Sequence, residues 1–129
     1  MRTLIVILCV AYWILLTALL LTPHPDRLVG FSAPDLPWGK FGIHTSFFTV
    51  LGILANFSRW PKRVNWSLIA FMAIYGIVAE TLQLFVPNRH AQVIDGFENV
   101  LGIAIGTGIY WLAWRKKGMK EKETLLEKA

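Results

Sequence analysis

The sequence predicts an all-α fold: an integral membrane four-helix bundle with both termini cytoplasmic. Three observations carry this expectation. Hydrophobic residues make up 55% of the 129, and charged residues only 16%, against about 25% charged in an ordinary soluble domain. The apolar residues fall into four blocks, each near the ~20 residues that a spanning helix needs. The basic residues gather on alternate connections, as orientation in a bilayer requires. Mean hydropathy is +0.51.

The predicted spans are 4–21, 41–57, 66–86 and 94–114. The first carries no charge. The second is blemished by Gly42, His44 and Asn56, and the third is interrupted by Glu80 and Gln83. Breakers stand between the blocks: Thr22-Pro23-His24-Pro25, Ser32-Ala33-Pro34, Pro37-Trp38-Gly39, Trp60-Pro61 and Val86-Pro87-Asn88. Residues 1–114 therefore read as one four-helix transmembrane domain, and 115–129 as a basic cytoplasmic tail. The first apolar run exceeds the ~7–15 residues of a signal-peptide core, and no small-x-small site closes it. It is expected to stay as a helix. Cys9 is the only cysteine, which rules out an internal disulfide and a cysteine-based zinc site. It reads as a small packing residue.

With both termini on one side, that side holds Arg2, Arg59, Lys62, Arg63, Arg115, Lys116, Lys117, Lys120, Lys122 and Lys128, ten of the thirteen basic residues. Only Arg27, Lys40 and Arg89 fall opposite. Both termini are expected in the cytoplasm, and the loops before the second and fourth spans outside. Trp38, Trp60, Trp66, Trp111 and Trp114 lie near span ends, where an aromatic belt sits. A basic tail beside a membrane serves topology and contact with anionic lipid. No groove-reading motif accompanies it, so nucleic acid is excluded as a partner.

The stretch 80–106 places costly polar groups in apolar sequence. An unpaired carboxylate or carboxamide in hydrocarbon costs several kcal/mol. Glu80 and Gln83, at i and i+3, share a helix face. They read as site residues or as hydrogen bonds between helices. Arg89 at the outer surface offers a planar fork for a phosphate or carboxylate, or simply reaches ordinary phospholipid. Asp95 with Glu98 fits a capping box at the start of the fourth helix. Asp95 could equally pair with Arg89 or face a site. Asn99 lies one turn further along the same face. His44 is one turn into the second helix and suits a polar network or a proton carrier better than a metal. Gly102 and Gly106 form a small-xxx-small pair for helix packing. By topology Lys40, His44, Glu80, Gln83, Arg89, Asp95 and Asn99 all fall at one depth in the outer leaflet. No metal-ligand cluster and no cofactor motif is present.

These residues resemble the VanZ-like family. The pattern of that family is similar to Glu80-x-x-Gln83, then Pro87-x-Arg89, then Asp95-x-x-x-Asn99-x-x-Gly102, with every spacing in agreement. In the second helix the family's Asp-Lys and His-Phe stand here as Gly39-Lys40 and His44-Thr45, with one extra residue between the pairs. The resemblance implies a small multi-pass protein of the bacterial cytoplasmic membrane. It also implies an association with resistance to teicoplanin-type glycopeptides at the cell envelope. The expected partners are membrane lipids, including a lipid-linked cell-wall precursor, and a homo-oligomer is compatible with the sequence. The expected function is binding of an envelope lipid or lipid-linked head group at the outer leaflet. One alternative is a membrane enzyme acting on a lipid-linked phosphate head group. It lacks a Ser or Cys placed beside a base, so no catalytic residue is assigned. A small proton-coupled transporter is the other.

Overall fold

The computed structural model describes residues 2–24, 27, 30, 42–87 and 92–127, and their side chains apart from residues 2, 118–123 and 125–127. Four helices account for nearly all of this: α1 Arg2–Leu21, α2 Ile43–Phe57, α3 Lys62–Leu82 and α4 Val93–Glu127. Among the described residues there is no strand.

The helix ends follow from local chemistry. Thr22 Oγ1 donates to the Ala18 carbonyl at 2.6 Å, satisfying one of the carbonyls left open at the end of α1. Pro23 cannot continue that helix. Between α2 and α3 the chain reverses at Arg59, whose φ of 52° lies in the left-handed region, and Pro61 presets the entry to α3 with φ −50°. At its far end α3 tightens into a 3-10 turn, Gln83–Phe85. Val86 is then extended, at φ −95° and ψ 123°, because Pro87 follows and disfavours helical backbone before it.

Among the described residues, two stretches are long and apolar enough to cross a membrane, Thr3–Leu21 and Lys62–Phe85. At 15 residues α2 is shorter, about 22 Å at 1.5 Å per residue. The first two turns of α4 carry Asp95, Glu98 and Asn99. That helix continues unbroken to Glu127, so the change to basic composition at Arg115 occurs within a helix rather than at its end.

The tightest pairing is α2 against α4. Gly102 and Gly106 lie against it: a Cβ on Gly102 would meet the Thr45 carbonyl oxygen at 2.5 Å, and one on Gly106 would strike the Thr49 carbonyl. Close backbone approach of this kind supplies the packing that holds helices together in lipid. Phe48, Leu51 and Ile103 fill the centre. Helix α1 is fastened by Tyr12 Oη donating to the Phe47 carbonyl at 3.0 Å, by the Thr17–Tyr75 hydroxyl pair at 2.7 Å, and by edge-on contacts of Trp13 with Phe71 and Tyr75.

The surface is apolar and much of the interior polar. Leu4, Ile7, Ile14, Phe71, Ile74, Leu101 and Trp111 are exposed, whereas Asn56, Glu80, Gln83, Asp95, Glu98 and Asn99 are buried. Apolar surface this extensive is rare on soluble monomers.

Candidate functional site

The buried polar groups form two clusters at opposite ends of the helices. One lies where α2 begins, α3 ends and α4 begins. Because neighbouring helices run in opposite directions, His44, Glu80 and Asp95 come from remote positions to the same end.

Asn99, fully buried, organises this cluster. Its Nδ2 donates to the Gly76 carbonyl at 2.8 Å. A carbonyl can only accept, so this bond fixes the amide and leaves Oδ1 toward His44 Nδ1, 3.0 Å away. Oδ1 is an acceptor, so His44 carries a proton on Nδ1. Its Nε2 then faces Asp95 Oδ2 at 3.9 Å. With both nitrogens protonated the two form an ion pair. With Nε2 bare, a lone pair faces a carboxylate, and only a group with two hydrogens to donate would satisfy both.

Glu80 belongs to the end of α3. Its Oε1 accepts from the backbone N–H of Gln92 at 2.7 Å, placing a negative charge at the amide-rich start of α4, where the helix dipole favours it. The capping expected from Asp95 is thus corrected. Helix α4 starts at Val93, three residues earlier than that reading needs, with Gln92 before it accepting from the N–H of Asp95 at 2.9 Å. Asp95 sits inside the first turn and faces His44. Glu98 bonds to another helix rather than to its own cap, accepting from the Gly42 N–H through Oε2 at 3.2 Å.

Two atoms of the cluster have no hydrogen-bond partner, Glu80 Oε2 and Gln83 Nε2. Glu80 is 5% exposed and Gln83 2%. A buried polar atom left without a partner costs about 1–3 kcal/mol. One of the two can only accept and the other only donates. Asn99, His44, Asp95, Glu80 and Gln83, expected at one level, therefore all border the same end. Arg89, His90 and Lys40 lie outside the described residues. Among the described residues no group of His, Cys, Asp and Glu is arranged to hold a metal ion. Residue spacing had pointed to neither the Glu98–Gly42 bond nor the Glu80–Gln92 bond, because each joins a side chain to a backbone group on another segment.

At the opposite end, Asn56 Nδ2 donates to the Gly52 carbonyl at 2.8 Å and to Thr107 Oγ1 at 3.2 Å, and Asn65 Nδ2 donates to Asn56 Oδ1 at 2.9 Å. This ties α2, α3 and α4 together. Beyond it the guanidinium of Arg59 lies 4.8 Å from the Trp114 ring and that of Arg115 4.6 Å from the Trp111 ring. The sequence signal for this cluster was Asn56, an amide in an apolar run. Gly102 and Gly106 sit between the two ends, in the α2–α4 contact.

No curated protein and no solved structure matches the chain significantly. The profile of one protein family, VanZ/LLP1, matches residues 5–114. That match takes in all of α2 and α3, the apolar part of α4 and every described polar residue of the site. The chain belongs to the VanZ/LLP1 family.

Proposed function

We propose that this protein is a multi-pass protein of the bacterial cytoplasmic membrane that binds the head group of an envelope lipid from the outer leaflet. In this reading all four helices cross the bilayer, both termini are cytoplasmic, and the His44–Glu80–Asp95 end faces outward. The exposed apolar surface supports insertion. The opposite end, with Arg59 and Arg115 against tryptophans, has the character of a cytoplasmic interface.

One observation carries the binding reading: the buried, unpartnered pair Glu80 Oε2 and Gln83 Nε2. The tie at the opposite end leaves only a single acceptor, Asn65 Oδ1, without a partner, whereas here an acceptor and a donor stand unpaired within one helical turn. A polar ligand arriving from the leaflet supplies what they lack. Arg89, six residues beyond Gln83 in the sequence, is proposed on its chemistry alone to contact a phosphate or carboxylate of that ligand. Altered access of a teicoplanin-type glycopeptide to lipid-anchored cell-wall precursors would follow from such binding.

The test is lipid analysis of purified protein, paired with susceptibility profiling of a host that expresses it. Wild type should carry one enriched lipid class that Glu80→Gln loses. Glu80→Gln keeps an oxygen for the Gln92 N–H, so the fold should survive. Equal lipid content in both proteins would refute the reading.

A second reading is favoured by the His44–Asp95 pair. With Nδ1 protonated against Asn99, Nε2 of a neutral imidazole keeps its lone pair and lies 3.9 Å from Asp95 Oδ2, so a water between the two would meet two proton acceptors. Nε2 could take a proton from water attacking a lipid-linked phosphate ester. Phosphate release from a lipid pyrophosphate, abolished by His44→Gln, would establish it. No release by wild type would exclude it.

A further inference from the structure

We infer that the ligand group held between Glu80 and Gln83 is a hydroxyl, from the glycerol or sugar of a lipid head group. This deepens the head-group reading and rests on it. The argument is one of matching donors to acceptors. Glu80 Oε2 is an acceptor without a donor, and Gln83 Nε2 is a donor without an acceptor. Both side chains are more than nine-tenths buried, so bulk water is not their partner. They stand at i and i+3, where side chains share a helix face with Cβ atoms roughly 5–6 Å apart.

A hydroxyl donates one hydrogen bond and accepts others. A single hydroxyl, or two on adjacent carbons, completes both atoms together. A phosphate oxygen only accepts. It would answer Gln83, leave Glu80 Oε2 bare, and add negative charge beside Glu80, Asp95 and Glu98. A primary ammonium only donates and would leave Gln83 open. A quaternary ammonium does neither.

The test uses wild-type protein in micelles and native mass spectrometry, with four lipids of identical acyl chains: monoglucosyl diacylglycerol, phosphatidylglycerol, phosphatidylethanolamine and phosphatidic acid. The first two carry hydroxyls, and only the first lacks phosphate. The expected result is retention of monoglucosyl diacylglycerol, phosphatidylglycerol or both at least about tenfold more strongly than the other two, the effect of one charge-assisted hydrogen bond. Comparing the first two identifies sugar or glycerol as the source. Glu80→Gln and Gln83→Leu should each remove the preference while helix content stays unchanged. A preference for phosphatidic acid or phosphatidylethanolamine would overturn the hydroxyl assignment and leave head-group binding standing. A hydroxyl preference that survives both substitutions would also overturn it, since the hydroxyl would then bind elsewhere. No discrimination among the four lipids would overturn both.

Discussion

Asn99 touches two helices through one side chain, with Nδ2 on the Gly76 carbonyl and Oδ1 on His44. Asn99→Leu keeps the volume close but strands a carbonyl and an imidazole nitrogen. The expected loss of stability is about 1–3 kcal/mol, read as a lower midpoint in thermal unfolding in detergent. Glu80→Gln should behave differently. The amide oxygen still receives the Gln92 N–H, and only the charge at the start of α4 is lost, about 0.3–1 kcal/mol. A stability change as large as that of Asn99→Leu would mean that Glu80 is chiefly a structural residue. The residues of this cluster stand out in the sequence because Glu80, Gln83, Asp95, Asn99 and His44 interrupt apolar runs. Their bonding partners do not stand out. Gly76, Gln92 and Gly42 contribute backbone atoms, which every residue has, so nothing in the sequence distinguishes them.

At the level of elements, α2 and α4 come together where Gly102 and Gly106 leave room, and this contact holds His44 near Asp95. Gly106→Ala would press a methyl group onto the Thr49 carbonyl and the Ile53 N–H. Backbone cannot yield as a side chain would, and overpacking of this kind costs about 1–3 kcal/mol. Gly108→Ala, two residues away with open space around it, is the control and should be neutral or slightly stabilising, since alanine favours helix by up to about 1 kcal/mol over glycine. Thermal unfolding of the two variants side by side checks this, and equal effects would contradict the packing. Helix positions were legible from the apolar blocks, but their ends were less so. Helix α3 begins at Lys62 rather than near Trp66, and α4 continues to Glu127. Hydropathy marks the part of a helix that suits lipid, whereas the backbone stays helical for as long as no breaker intervenes.

For the whole molecule, the proposed orientation places the two polar clusters at different depths and different faces. It can be tested with single cysteines in a Cys9→Ala background. Gln92→Cys, at the exposed start of α4, should react with a membrane-impermeant maleimide in intact cells. Thr124→Cys, exposed near the far end of the same helix, should react only after permeabilisation. The reverse pattern would invert the topology and move the site to the cytoplasmic leaflet. The all-helical architecture follows from four apolar blocks separated by prolines. The division into a polar cluster at the His44–Asp95 end and an Asn56–Asn65–Thr107 tie at the other does not, because both sets look alike as amides and carboxylates among apolar neighbours. Only the folded arrangement shows that the tie leaves one acceptor unbonded, Asn65 Oδ1, whereas Glu80 Oε2 and Gln83 Nε2, an acceptor and a donor, are left unbonded one helical turn apart.

Those two atoms allow the most direct measurement. The side-chain amide of Gln83 gives its own nitrogen–proton signals in an isotope-labelled sample in micelles, as does that of Asn56 at the other end. Titration with a short-chain hydroxylated lipid should shift the Gln83 signals and leave those of Asn56 in place. Gln83 signals that stay fixed at saturating lipid, or that move no more than those of Asn56, would contradict the account.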